Sequence, residues 1–335
     1  MLMNNLKFVP NIVTGRLSEE DAKRYFSRFG WFVFAYFLIN IIAQNAIALI
    51  VYYVFPKFYF HYLFAELLSF VPNYLIALPL AYAIVRPLPS EISMKEKMSV
   101  GHIFCGFCIS MTLMMVGNYI SQIFIGVFQV MRGSVLQNPV EAAVASMPLW
   151  MNFLSIVVLA PVLEELVFRG LMCKKLLVLG EGYAIILSAA VFALCHGNFF
   201  QLFYAFTLGC FFAFIYVKTG KLVYTVFFHM AINFLGGFVA PWLMSFIDAS
   251  DLVNGELMIS ADNILQYLAL MWYELIALGA AIFGLVLLIK KRRQFTVHTG
   301  ILPPPEKRGV SCVLLNSGVA AAITIFALTL VGSLL

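Results

Sequence analysis

Polar residues interrupt this chain at wide intervals, and the stretches between them are almost purely apolar. A helix needs about 20 mostly apolar residues to cross the hydrocarbon of a bilayer. Runs of that kind fall at 31–55, 65–85, 101–128, 148–170, 182–197, 199–217, 222–246, 264–289 and 310–333. The expected fold is therefore all-α, a polytopic transmembrane helical bundle of eight to nine spanning helices. With no water in the bilayer to satisfy backbone polar groups, helices are the spanning element for runs of this length. Ahead of the first run, "LSEEDAKRYFSRFG" reads as a short amphipathic helix capped by Ser18 and lying on the membrane surface. The three prolines of "TGILPPPEKRG" mark a linker, because they cannot continue a helix. The chain divides into an N-terminal amphipathic segment (1–30), N-terminal membrane helices (31–147), a polar-bearing core (148–246) and C-terminal membrane helices (247–335).

Composition supports this class. The chain is 63% hydrophobic and 11% charged, against about 45–50% and about 25% in soluble domains. Charge then orients it. With the N-terminus in the cytoplasm, 19 of the 21 Lys and Arg residues fall in cytoplasmic segments, and only Lys57 and Arg132 fall outside, as the positive-inside rule requires. The outer loop after the seventh run holds Asp248, Asp251, Glu256 and Asp262 with no Lys or Arg. A multi-pass protein of the plasma membrane is expected, with lipids as partners. The net charge of +5 is spread in short runs between apolar segments, so no nucleic-acid partner is expected. No cleavable signal peptide is read at the N-terminus, whose first residues lack an apolar core. Cys105 and Cys108 in "CGFC" have redox spacing but sit in an apolar helix, where Cys acts as a small hydrophobe.

Candidate chemistry lies in "VVLAPVLEELVFRGLM", residues 157–172. An ionisable group inside a bilayer is costly and marks a functional site by default. Glu165 and Arg169 are four apart on one helix face, the acid first, so Arg169 can neutralise Glu165. Glu164 points about 100° away and has no partner from its own helix. Further on, "FALCHGN" sets Phe192 and His196 four apart, and "VFFHMAINF" does the same for His229 and Asn233. One intramembrane His is commonly a helix–helix hydrogen bond. Two of them with a spare carboxylate and a carboxamide make an acid–base set with hydrogen-bond donors.

"EELVFR" (164–169), "FALCH" (192–196) and "HMAIN" (229–233) resemble, in order, the EExxxR, FxxxH and HxxxN motifs of the CPBP family, the CAAX-processing and bacteriocin-processing membrane proteases also called Abi proteins. The likeness covers roughly 145–240. It implies a glutamate-dependent intramembrane endopeptidase of the CAAX type II kind. Glu164 and His196 would activate a water, His229 and Asn233 would form an oxyanion hole, and Glu165, Arg169 and Phe192 would give structural support. The substrate implied is a membrane-associated protein or peptide, such as a prenylated C-terminus or a bacteriocin-like leader, cut near the cytoplasmic face. No metal and no other cofactor is expected. Two His and two Glu could ligate zinc, but HExxH is absent and each His comes from a different helix.

Two other readings keep the fold: a non-proteolytic scaffold, immunity or sensor-kinase regulatory protein, and a transporter. The second lacks paired interrupted helices in matching halves. Asn40, Gln44, Asn45, Asn118 and Gln122 are expected to make interhelical hydrogen bonds, and Glu274 to snorkel or pair across helices. One geometric demand stands out. Counted from the cytoplasmic side, His229 lies about 12 Å above Lys221 and His196 about 21 Å above residue 182. Segment five must tilt, or begin deeper, for the two to meet.

Overall fold

The computed structural model describes residues 15–91, 96–246, 252–253, 256–257 and 264–334. Nine apolar helices follow one another: α1 (Glu19–Val54), α2 (Tyr62–Val85), α3 (Val100–Arg132), α4 (Leu149–Leu177), α5 (Glu181–Cys195), α6 (Phe199–Thr219), α7 (Leu222–Met244), α8 (Ile264–Gln294) and α9 (Ser317–Gly332). Seven are long and apolar enough to cross a membrane, and α5 and α9 are shorter. Apart from a two-residue antiparallel pairing of Leu252–Val253 with Glu256–Leu257, the described residues are helix and connection. The all-α polytopic bundle read from the sequence is the observed fold. Most of the loop holding Asp248, Asp251 and Asp262 lies outside the described residues.

Short polar side chains start several helices by accepting a first-turn N–H: Ser18 from Asp21, Ser99 from His102, Asn198 from Gln201 and Asn316 from Val319. The stretch after Ser18 is not a separate surface helix. It forms the first turns of α1, with Tyr25, Phe26 and Phe29 buried in the protein, because these aromatics find a protein core to pack on.

The helices alternate in direction, and the segments rich in Lys and Arg gather at one end. Lys175 Nζ donates to the Leu88 carbonyl, and the Tyr25 hydroxyl donates to Lys175 O at 2.6 Å. Lys218 pairs with Glu181, Arg308 with Glu19, and the Met98 N–H donates to the Tyr224 hydroxyl. The proline linker is a strap across this end. Leu302 N donates to Val178 O, Glu181 N to His298 O, and Leu17 N to Pro303 O. The corner that starts α5 therefore lies beneath a layer of chain.

Three broadened, π-helical stretches precede a proline by one residue: Val71–Ala77 before Pro79, Phe153–Leu159 before Pro161, and Leu235–Val239 before Pro241. A proline ring inside an α-helix clashes with the carbonyl four residues back and donates no N–H. Widening the turn removes the clash but leaves the carbonyl five residues back without its donor. In α4 that carbonyl belongs to Ile156.

Candidate active site

The Ile156 carbonyl gives the first link between helices. Asn233 Nδ2 on α7 donates to it at 2.9 Å, replacing the N–H that Pro161 lacks. One hydrogen of the Asn233 carboxamide is thereby fixed, and Asn233 also lines the wall of the cavity described below. Wide turns of this kind recur at functional sites because they re-aim side chains. Here the turn sits one helical turn before Glu164.

Beneath it lies a closed polar knot. Arg169 Nη1 and Glu165 Oε1 are 3.0 Å apart, and both side chains are fully buried. Arg169 Nη2 donates to Gly209 O at 3.1 Å across to α6. The guanidinium stacks on the Phe192 ring at 4.6 Å, and Phe192 also packs edge-on against the rings of His196 and His229. Phe192 is thus a common wall for the cation and both imidazoles, which explains an aromatic one turn before His196. Reach to Gly209 depends on the close α5–α6 contact, where a Cβ on Gly209 would stand 3.1 Å from Ala189 Cβ and Phe192 Cδ1.

The two histidines are held by their Nδ1 atoms. His229 Nδ1 meets Glu165 Oε1 at 3.0 Å, and His196 Nδ1 meets the Phe192 carbonyl at 2.9 Å. A carboxylate and a carbonyl only accept, so each Nδ1 carries the hydrogen. In neutral His196 the Nε2 lone pair is then free to accept a proton. His229 Nε2 faces Glu164 Oε2 at 3.7 Å, so the ring lies between two carboxylates. Glu165 touches His229 as well as Arg169. Helical spacing revealed only the second contact, since the first comes from another helix.

Glu164 is the acid with water access, its side chain 21% exposed. It lines a cavity of about 640 Å³ together with His196, His229 and Asn233. The four residues singled out from sequence therefore share one cavity. The same wall holds Glu66 of α2, Asn152 of α4 and Asn198, Gln201 and Tyr204 at the start of α6, which the motifs did not indicate. Glu66 carried a usable signal, an acid inside an apolar run. Asn118 and Gln122 line polar hollows, whereas Gln44 does bond across helices, to Leu68 O. Glu274 is exposed on the outer side of α8. Among the described residues no three His, Cys, Asp or Glu side chains are grouped to hold a metal ion. No step through zinc is derived.

Comparisons with known proteins fall on the same segment. Residues 146–235 match the family model for type II CAAX prenyl endopeptidases, Rce1-like. A CAAX prenyl protease 2 of Arabidopsis thaliana is 32% identical over 131 residues, which cover 32% of this chain. The chain spans 39% of the length of that relative. No solved structure matches. All three motifs lie inside the matched residues, and the likeness to the CPBP family rests on these matches as well as on the motifs.

Proposed function

We propose that this protein is an intramembrane endopeptidase that hydrolyses a peptide bond of a membrane-associated substrate with a water activated by Glu164 and His196. The observation that carries the proposal is the shared cavity: a partly exposed carboxylate, an imidazole held by its Nδ1, and His229 and Asn233 on the facing helix. Chemically, the water gives a proton to Glu164 as its oxygen bonds to the carbonyl carbon, and His196 Nε2 accepts a hydrogen bond from its other hydrogen. The resulting oxyanion accepts hydrogen bonds from His229 Nε2–H and the second N–H of Asn233. Return of the proton to the departing nitrogen then breaks the C–N bond and leaves a carboxyl and an amine. Glu165, braced by Arg169, keeps the His229 ring oriented. No metal enters this scheme. A prenylated C-terminus, a bacteriocin-like leader or another membrane-bound peptide would each satisfy it, in a plasma-membrane protein whose N-terminus is cytoplasmic.

Peptidomics of membranes from cells expressing the wild type or Glu164→Gln tests the proposal. Loss of a general base typically costs about 10²- to 10⁴-fold in rate, so peptides produced by the wild type should vanish in the variant while the amount of folded protein is kept. Identical peptidomes, with the host phenotype retained by Glu164→Gln and Asn233→Ala, would establish the scaffold role instead.

A further inference from the structure

We infer that the cavity takes its peptide from the membrane face opposite the basic loops, and that the substrate is an extracytoplasmic segment free of carboxylates near the cleaved bond. The inference rests on reading the site as a peptidase.

The direction follows from which part of each helix lines the cavity. Glu164 lies midway along α4, and the lining runs from it toward the N-terminal end of α4, past Asn152 to Met147. On α7 it runs from His229 toward the C-terminal end, through Asn233 to Gly236 and Gly237. On α6 the lining runs from Gln201, beside the helix start, to Phe212, and leaves out the last turns before Thr219. A second hollow of about 930 Å³ shares Asn118, Asn152 and Gln201 with the first and extends further the same way, to Glu141, Trp242 and Ser245. Every one of these positions lies away from the strap and the basic loops. In the other direction the path is closed by the buried Glu165–Arg169 pair, Phe192 and Phe212, and past them by the buried Met172–Leu179 stretch under Leu302. The positive-inside rule places the basic end in the cytoplasm. The open end therefore faces outward, and the sequence-based expectation of cleavage near the cytoplasmic face does not match this geometry.

Charge narrows the substrate. Glu66, Glu141 and Glu164 line the two hollows, and among the described residues no Lys or Arg does. Like charges brought together in a low-dielectric site repel strongly. A substrate carboxylate beside the scissile bond would meet these carboxylates with no described Lys or Arg to offset them. That disfavours a cleaved fragment ending in a free C-terminus a few residues away, and favours an internal bond flanked by neutral or basic residues.

Thiol labelling with a membrane-impermeant maleimide tests the direction without relying on catalysis. Gln122→Cys and Ser245→Cys stand at the proposed mouth and Lys307→Cys at the basic end. The wild type, with its six native cysteines, sets the baseline. In intact spheroplasts the two mouth variants should label as fully as after permeabilisation, a ratio near one, while Lys307→Cys gains its label only on permeabilisation. Two mouth positions guard against one variant failing to fold. The reverse pattern overturns the inference. Mapping the cleavage sites lost in Glu164→Gln membranes tests the charge rule: sites on extracytoplasmic segments without flanking Asp or Glu support it, and sites in cytoplasmic segments or beside carboxylates overturn it. Outward labelling with no lost cleavage would refute the peptidase reading and leave the opening standing.

Discussion

Toward the basic loops the helices approach until backbone meets backbone. A Cβ on Gly284 of α8 would stand 2.0 Å from the Cys108 carbonyl oxygen of α3, and one on Gly318 of α9 1.8 Å from that of Ser27 on α1. Toward the other end, Gly126 of α3 and Gly236 of α7 have nothing within 4 Å of the same position. Association of helices in lipid is driven by van der Waals packing and interhelical hydrogen bonds, and small residues allow both. Close backbone contact holds α3 to α8 and α1 to α9 in the half toward the basic loops, and the opposite half encloses the two hollows. The candidate site lies on the boundary between them. Its histidines are oriented by groups rooted in the sealed half, and its acid lines the cavity of the open half.

The largest effect should come from unpairing the knot that closes the sealed half. Arg169→Met keeps much of the side-chain volume but leaves Glu165 buried without its cation, which typically costs about 3–5 kcal/mol. Folded yield and the thermal unfolding midpoint in detergent should fall steeply. The double variant Glu165→Gln/Arg169→Met removes both charges and should recover most of the loss. A single variant as stable as the wild type would show that the pair does not hold the helices together.

A smaller loss is expected where the packing is apolar. In Gly284→Ala the added methyl meets a main-chain carbonyl, so α8 must shift away from α3. That shift also strains the bond from Thr112 Oγ1 to the Ala281 carbonyl, 2.6 Å long. Overpacking of this kind costs about 1–3 kcal/mol, read as a lowered unfolding midpoint. An unchanged midpoint would mean that the α3–α8 contact is loose.

The apolar runs made the nine helices legible, and charge made their alternation legible, because both are properties of a single segment. The Glu165–Arg169 pair was equally accessible, being four residues apart on one helix. What escaped depends on contacts between segments. The bond from Glu165 to His229 joins residues 64 apart, and the strap of the proline linker over Gly180 joins residues 119 apart. The buried start of α1 escaped for a related reason: polar turns look interfacial until the partner that covers their aromatics is known. Helical periodicity says which residues share a face, but not at which end of the bundle the faces part. Hence the cavity residues could be chosen from motifs while the direction of its mouth could not.

Gly236→Ala is the mild counterpart that makes this contrast quantitative. The methyl would project where no atom lies within 4 Å, on the wall shared by the two hollows. Substitutions without a steric or polar conflict usually stay within about 0.5 kcal/mol. Replacing Gly by Ala in a helix also removes a conformational-entropy cost of about 0.5–1 kcal/mol. The unfolding midpoint should therefore hold or rise slightly, in the same detergent in which Gly284→Ala lowers it. A drop matching that of Gly284→Ala would mean that α7 closes onto its neighbours in the assembled protein. The polar walls would then have no water to share, and Glu164 would be as dry as Glu165.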